Sequence, residues 1–269
     1  MIKMALEIIV MIKQVPDSSE VVIDPVTFTL NRGAARNVIN PADENAVEQA
    51  LLIKDKNPGT HITVITMGPP FAETALLDCM ARGVDRAILV TDRAFAGADT
   101  YPTGLTLAAT ITKIGKFDLI YAGEESTDSS TGHVGPGVAE FLGIEQASYT
   151  SNSWVEDGSV FAERQLEDGV ETVKMEPPCL ITVLTNANIP REATLRMKID
   201  ALKKGIETWT LADINLKPEW VGLKGSPTIV KSMRTINEKK REGKKFGVDE
   251  MDKFVDELVS KEILKFGGE

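Results

Sequence analysis

The chain has 269 residues, 42% of them apolar and 26% charged, and carries a net charge of −10 at pH 7. That length suits one large domain or one domain with an extension, and the acidic balance argues against a nucleic-acid binder, which needs a basic surface against phosphates. Its two cysteines, Cys79 and Cys179, form no CxxC pair, which argues against a disulfide framework and against an iron–sulfur or zinc site built from cysteine alone.

In chain order, "MIKMALEIIVMIKQVPD" has its apolar run broken by Glu7, and no small-residue cleavage pattern follows. It predicts a first strand over 6–13 of a cytoplasmic protein, not a signal peptide. No apolar stretch approaches the length of a membrane-spanning helix. "HITVITM" (61–67), "RAILVTD" (86–92) and "FDLIYAG" (117–123) read as further strands. Between them, 43–55 places Val47, Ala50, Leu51 and Lys54 at helical spacing, and 71–83 and 103–115 show similar periodicity. Strands alternating with helices predict an α/β fold whose mostly parallel sheet is covered on both faces. From about Tyr149 the pattern alternates around Glu156-Asp157-Gly158 and Glu167-Asp168-Gly169, predicting an antiparallel meander that ends in a buried strand over 179–185. Beyond Asp213, "NLKPEWVGLKGSP" reads as an extended connector, followed by charged helical segments near 228–242 and 248–264. The expected division is an α/β nucleotide-binding domain over 1–213 and a C-terminal extended and helical arm over 214–269.

The stretch "GEESTDSSTGHVGPGVAEFLG" (123–143) leaves a strand end, where parallel sheets bind ligands. Neither a GxxxxGK[ST] loop nor a GxGxxG fingerprint after the first strand is present. Val134, Val138 and Leu142 recur at helical spacing, so Ser130, Thr131 and Gly132 would place free N–H groups and a helix dipole at one point, an anion site that needs no cation. The same spacing equally suits an ordinary capped helix after a Ser/Thr-rich loop. Glu124, Glu125 and Asp128 would repel phosphate unless turned away or paired; a sugar hydroxyl on Asp128 is the preferred role, with Glu124 and Glu125 solvated or at a subunit contact. In "NPADENAVEQAL" (40–51), Asn40 reads as an N-cap, Pro41 as N1, and Asp43 as an N3 residue that bonds back to the cap.

Several separated segments resemble the β subunit of electron-transfer flavoproteins. "FAERQLEDGVETVKMEPPCLIT" (161–182) fits that family's signature, and "NPADENAVEQAL", "GVDRAILV" and "IPREATLRMKIDALKKGIE" (189–207) add matches. The resemblance implies an adenine-nucleotide hydrolase-like α/β lobe in a heterodimer with an α subunit. In ordinary carriers that lobe holds structural AMP. In an electron-bifurcating subgroup the same pocket holds FAD, which takes a hydride from NADH and sends electrons to a flavin-dependent dehydrogenase and to ferredoxin or flavodoxin. "KQVPDSSEV" (13–21), "DRAFAGADT" (92–100) and "DSSTGHVGP" (128–136) resemble that subgroup, so FAD is the expected cofactor and AMP the alternative. An acid, Glu124, stands where the family commonly carries a basic residue.

Carried over by position, Met11, Lys13, Asn40, Asp43 and Met67 would border the adenosine half, and Gly123, Asp128, Thr131, Gly132, His133 and Val134 would bind sugar and phosphates. The flavin would do the redox chemistry, so no general acid or base and no metal ligand is assigned. "PREATLRMK" resembles the family's partner-recognition loop, with Leu195 as the anchor into an acyl-CoA, enoyl-CoA or lactate-type dehydrogenase. The basic stretch 231–245 reads as a solvated helix, with an arm against the α subunit as the alternative. Phe254, Leu258 and Leu264 form a better docking stripe.

Overall fold

The computed structural model describes residues 5–17, 36–229 and 243–264. The expected helix near 228–242 and most of the basic stretch therefore lie outside the described residues, as does the end of 13–21. Two units are distinguished by contact density, one up to Lys231 and one from Ser232.

The first unit is built on a nine-stranded sheet. Its strands are β1 (Glu7–Met11), β4 (His61–Met67), β5 (Arg86–Val90), β6 (Leu119–Gly123), β7 (Glu145–Glu156), β8 (Ser159–Gln165), β9 (Val170–Met175), β10 (Cys179–Val183) and β11 (Glu207–Trp209). Two short strands, β2 (Gln14–Pro16) and β3 (Asn37–Ile39), pair antiparallel with each other. The sheet order is β11-β5-β4-β1-β6-β10-β7-β8-β9, parallel from β11 to β7 and antiparallel from β7 to β9. The fold is the expected α/β architecture, with one difference in the meander. Strand β10 does not continue it; β10 crosses back to lie parallel between β6 and β7. All five residues of β10 are buried, and a continuous apolar run suits a central strand covered on both faces better than the edge beside β9.

Alternating side chains feed two cores, as a pleated strand requires. Ile8 and Val10 of β1 join Leu119 and Tyr121 of β6 on one face, whereas Ile9 and Met11 join Ile120 and Ala122 on the other. Helices α1 (Pro41–Lys56) and α2 (Glu73–Arg82) supply the first core with Val47, Ala50, Leu51, Leu76 and Cys79. Helices α3 (Thr100–Ile114) and α4 (Val134–Leu142) supply the second with Leu107, Ile111, Val138 and Ala139. The predicted helix face on α1 is buried except at Lys54, whose ammonium reaches Asp85 at 2.6 Å. Helix α5 (Leu195–Lys204) follows β10, and a short turn, α6 (Gly222–Gly225), follows β11. Ile214 and Val221 are buried in the second core, which ties this connector to the sheet. In the second unit, α7 (Met251–Ser260) packs Phe254 against Phe246, ring centroids 5.3 Å apart.

Candidate nucleotide site

Strand order reverses at β1. The chain moves outward through β4 and β5, then returns to place β6 on the other side of β1. Loops leaving β1 and β6 must diverge at such a point, which opens a crevice at the carboxyl ends of the strands. A cavity of about 630 Å3 lies there. Its walls include Met11, Lys13, Asn40, Asp43, Met67, Gly123, Thr131, Gly132, His133 and Val134, so ten of the residues expected to hold the cofactor are brought together. Asp128 does not line it but holds Lys13 at the rim, and Leu195 lies elsewhere, on α5.

Helix α1 starts where capping rules place it, with Asn40 at the N-cap and Pro41 at N1, but the side chains of its first turn organise the crevice instead of capping the helix. Asn40 precedes the helix without a side-chain cap bond, although its carbonyl accepts from the N–H groups of Asp43 and Glu44. Its fully buried amide instead spans to the loop after β6, where Nδ2 donates to the Glu125 carbonyl at 2.8 Å and Oδ1 accepts from the Thr127 N–H at 3.0 Å. Asp43 does not bond the Asn40 N–H as a capping box would, since that group donates to the Lys13 carbonyl. Its carboxylate accepts from the Lys13 N–H at 2.7 Å and the Gly123 N–H at 2.9 Å, joining the ends of β1 and β6. Burial pushes the Asp43 carboxyl up to about 7, against the pull of these two backbone donors. Gly123 is required by this approach: a Cβ there would collide with the Asp43 carboxylate and with Ala42.

The acids in the loop are each accounted for, and Glu124, expected to be solvated or at a subunit contact, bonds within the chain. Its Oε1 accepts from the Thr185 N–H at 2.8 Å, and its N–H donates to the Val183 carbonyl at 2.9 Å, tying the ends of β6 and β10. An acid can stand at that position because it meets a backbone donor. Glu125 is exposed and contributes its carbonyl to Asn40. Asp128 pairs with the Lys13 ammonium at 2.5 Å. Burial raises the Asp128 carboxyl, but the bonds from Lys13 and Ser126 outweigh it and hold the group below the usual carboxylate range. Lys13 also reaches Ser126 Oγ at 3.3 Å, so a cation does stand beside the loop, supplied by the chain after β1.

Helix α4 begins at Val134, after Ser130 with φ of 46° and Gly132 with φ of 62°. A left-handed glycine before the helix turns the backbone toward the crevice without steric strain. Thr131, Gly132, His133, Val134 and Gly135, at the start of this helix, all line the crevice. An anion there gains from the unsatisfied N–H groups and the helix dipole, an effect of about 0.3–1 kcal/mol for an exposed charge. Gly135 keeps this start close to the sheet, since a Cβ would press on Thr182 Cγ2 at 2.6 Å. His133 sits at the N-cap, exposed, with no side-chain cap bond.

A further wall carries residues to which the sequence assigned no site role, although 92–100 was among the segments resembling the FAD-containing subgroup. It is the start of α3, with Asp99, Thr100, Thr103 and Leu107, and the segment around Thr228. Asp99 caps α3 by accepting from the Tyr101 N–H at 3.0 Å, and its other oxygen accepts from Thr228 N and Oγ1 at 2.9 and 2.7 Å. Asp before a helical repeat is an N-cap signal that could have found this end. Nothing in the sequence around Thr228 announces its return to the crevice. The donor set therefore combines backbone amides, hydroxyls and one lysine with the apolar Met11, Met67 and Leu107. That mixture fits a nucleotide: an apolar slot for rings and a polar end for phosphate and sugar.

Comparison with known proteins gives the family. An electron transfer flavoprotein domain matches residues 27–214. The chain is 45% identical over 230 residues to electron transfer flavoprotein subunit beta of Clostridium acetobutylicum, covering 86% of this chain and 88% of that protein. It is 45% identical over 225 residues to caffeyl-CoA reductase-Etf complex subunit CarD of Acetobacterium woodii, covering 84% and 86%. Protein FixA of Sinorhizobium fredii is 38% identical over 263 residues, covering 95% and 91%. With this share of the chain matched at this identity, the protein belongs to the electron transfer flavoprotein family, as a β subunit.

Proposed function

We propose that this subunit binds FAD in the crevice between α1, α3 and α4 and works with an α subunit as an NADH-oxidising, electron-bifurcating oxidoreductase. Thr131, Gly132, His133 and Val134 would hold the diphosphate, Lys13 would meet its charge, and Met11 and Met67 would contact the adenosine half. The bound flavin would accept hydride from NADH and deliver electrons to an acyl-CoA or enoyl-CoA-type dehydrogenase and to ferredoxin or flavodoxin. Asp128 would move from Lys13 to a ribose or ribityl hydroxyl. Leu195 would anchor in the dehydrogenase, and the segment beyond residue 213 would contact the α subunit.

The observation that carries this reading is the reach of the crevice. Besides the start of α4, its walls include Asp99, Thr103 and Thr228 on separate segments, which favours a dinucleotide over AMP alone. The similarity to a subunit of a caffeyl-CoA reductase-Etf complex supports a CoA-linked acceptor. The test is anaerobic addition of NADH to the purified αβ complex while flavin absorbance is followed. Bleaching by NADH is expected. Flavin that stays oxidised with NADH but is reduced by dithionite rejects NADH chemistry in this subunit.

A further inference from the structure

The helix that holds the nucleotide loop also holds the segment leading into α5. Asn40 and Asp43, at the start of α1, grip the loop after β6. Further along α1, Asn45 Oδ1 accepts from the Asn186 N–H at 3.1 Å, and its Nδ2 donates to the Asn188 carbonyl at 2.8 Å. Asn188 Nδ2 donates in return to the Asn45 carbonyl at 3.0 Å. One turn later, the carboxylate of Glu48, only 6% exposed, accepts from the Arg191 N–H at 3.0 Å and from Nε and Nη2, each at 2.9 Å. Arg191 Nη2 also reaches Asp55 at 2.8 Å. Leu195 then opens α5 with its side chain 75% exposed. At the far end α5 is mounted separately, by buried Ala201 and by a bond from Lys204 to the Asp85 carbonyl.

These contacts fix both ends of α5 by different means. A bidentate guanidinium–carboxylate pair sets orientation as well as distance, and Glu48 is too buried to re-pair with water once its partner is gone. We propose that Glu48 and Arg191 are positioning residues for electron delivery: through α1 they fix the place of Leu195 relative to the nucleotide crevice. This inference rests on the docking role proposed for Leu195. A docking element tied by side chains to the helix that also grips the nucleotide loop keeps one place relative to that loop. Loosening the pair frees residues 186–194 while the crevice, held by the start of α1, stays intact.

The test uses the αβ complex carrying Arg191→Gln or Glu48→Gln, with Leu195→Ala as a docking control. Spin labels at Lys56→Cys and Arg196→Cys report the distance between the end of α1 and the start of α5. Steady-state reduction of a short-chain acyl-CoA dehydrogenase, chosen because the wild-type complex reduces it, gives KM and kcat. Arg191→Gln should broaden the distance distribution and raise KM for the dehydrogenase by roughly ten-fold, a loss of about 1.4 kcal/mol. Nucleotide content and reduction by NADH should stay at the wild-type level, and Arg191→Lys should restore only part of KM because lysine cannot fork. An unchanged distance distribution and KM in both Arg191→Gln and Glu48→Gln overturns the inference. So does loss of nucleotide in step with the rise in KM, which marks general support of the fold. If Leu195→Ala leaves KM unchanged, the docking role fails instead, and the distance measurement alone then decides whether the clamp positions α5.

Discussion

Truncating Asn40 to alanine isolates the contact that shapes the nucleotide loop. The side chain is fully buried and makes two bonds, to the Glu125 carbonyl and from the Thr127 N–H. A buried partner left unmade costs roughly 1–3 kcal/mol, but Glu125 and Thr127 are exposed, so their backbone groups can recover water. The low end applies to each, for a total of about 2 kcal/mol. If this energy holds the loop in its binding shape, nucleotide affinity falls roughly thirty-fold. Asn40→Asp should bind more weakly still: Oδ1 could still accept from Thr127, but the second oxygen would face the Glu125 carbonyl, close to buried Asp43. The assay is equilibrium titration of the nucleotide-stripped complex with FAD at fixed ionic strength, alongside urea unfolding of each variant. Affinity within two-fold of wild type in Asn40→Ala, or tighter binding by Asn40→Asp than by Asn40→Ala, would refute the reasoning.

Three other outcomes are expected. Thr131→Ala with Gly132→Val removes a hydroxyl and forces a branched residue onto a φ of 62°; FAD retention should drop at least ten-fold with far-ultraviolet circular dichroism unchanged. Asp43 binds in the native state a proton that the unfolded chain releases above its ordinary 3.8, because its native value is about 7. Its contribution is therefore fullest below pH 3.8 and is lost as pH rises to about 7, with a span on the order of 4 kcal/mol at 1.36 kcal/mol per unit. Asp43→Asn should flatten that slope in urea midpoints taken from about pH 5 to about pH 8, and parallel profiles for the two proteins would contradict the assignment. Leu195→Ala should slow reduction of the dehydrogenase roughly ten-fold or more and leave FAD content at the wild-type level, as read by stopped-flow absorbance.

Strands and helices of the α/β unit were legible because parallel strands covered on both faces read as unbroken apolar runs, and Val47, Ala50 and Leu51 lie on one helical face. The placement of β10 was not, since a run such as "CLITV" announces burial but not its neighbour. The crevice was half legible: segments after β1, β5 and β6 carried recognisable loops, whereas Thr228 returns to it from more than a hundred residues beyond its partner Asp99. Local rules found the helix start at Asn40 and Pro41 but not what the Asn40 and Asp43 side chains hold, because capping chemistry concerns near neighbours and their partners include Glu125, Thr127, Lys13 and Gly123 across the crevice. The acidity of 123–128 was puzzling for the same reason. Glu124 and Asp128 are matched by Thr185 and Lys13, which no spacing within the loop reveals.

The most direct test of the central claim is to denature the purified αβ complex and quantify the nucleotides released. Two FAD per heterodimer without AMP is the predicted result. One FAD together with one AMP would contradict a flavin in this crevice and leave the subunit a structural partner in a simple electron carrier.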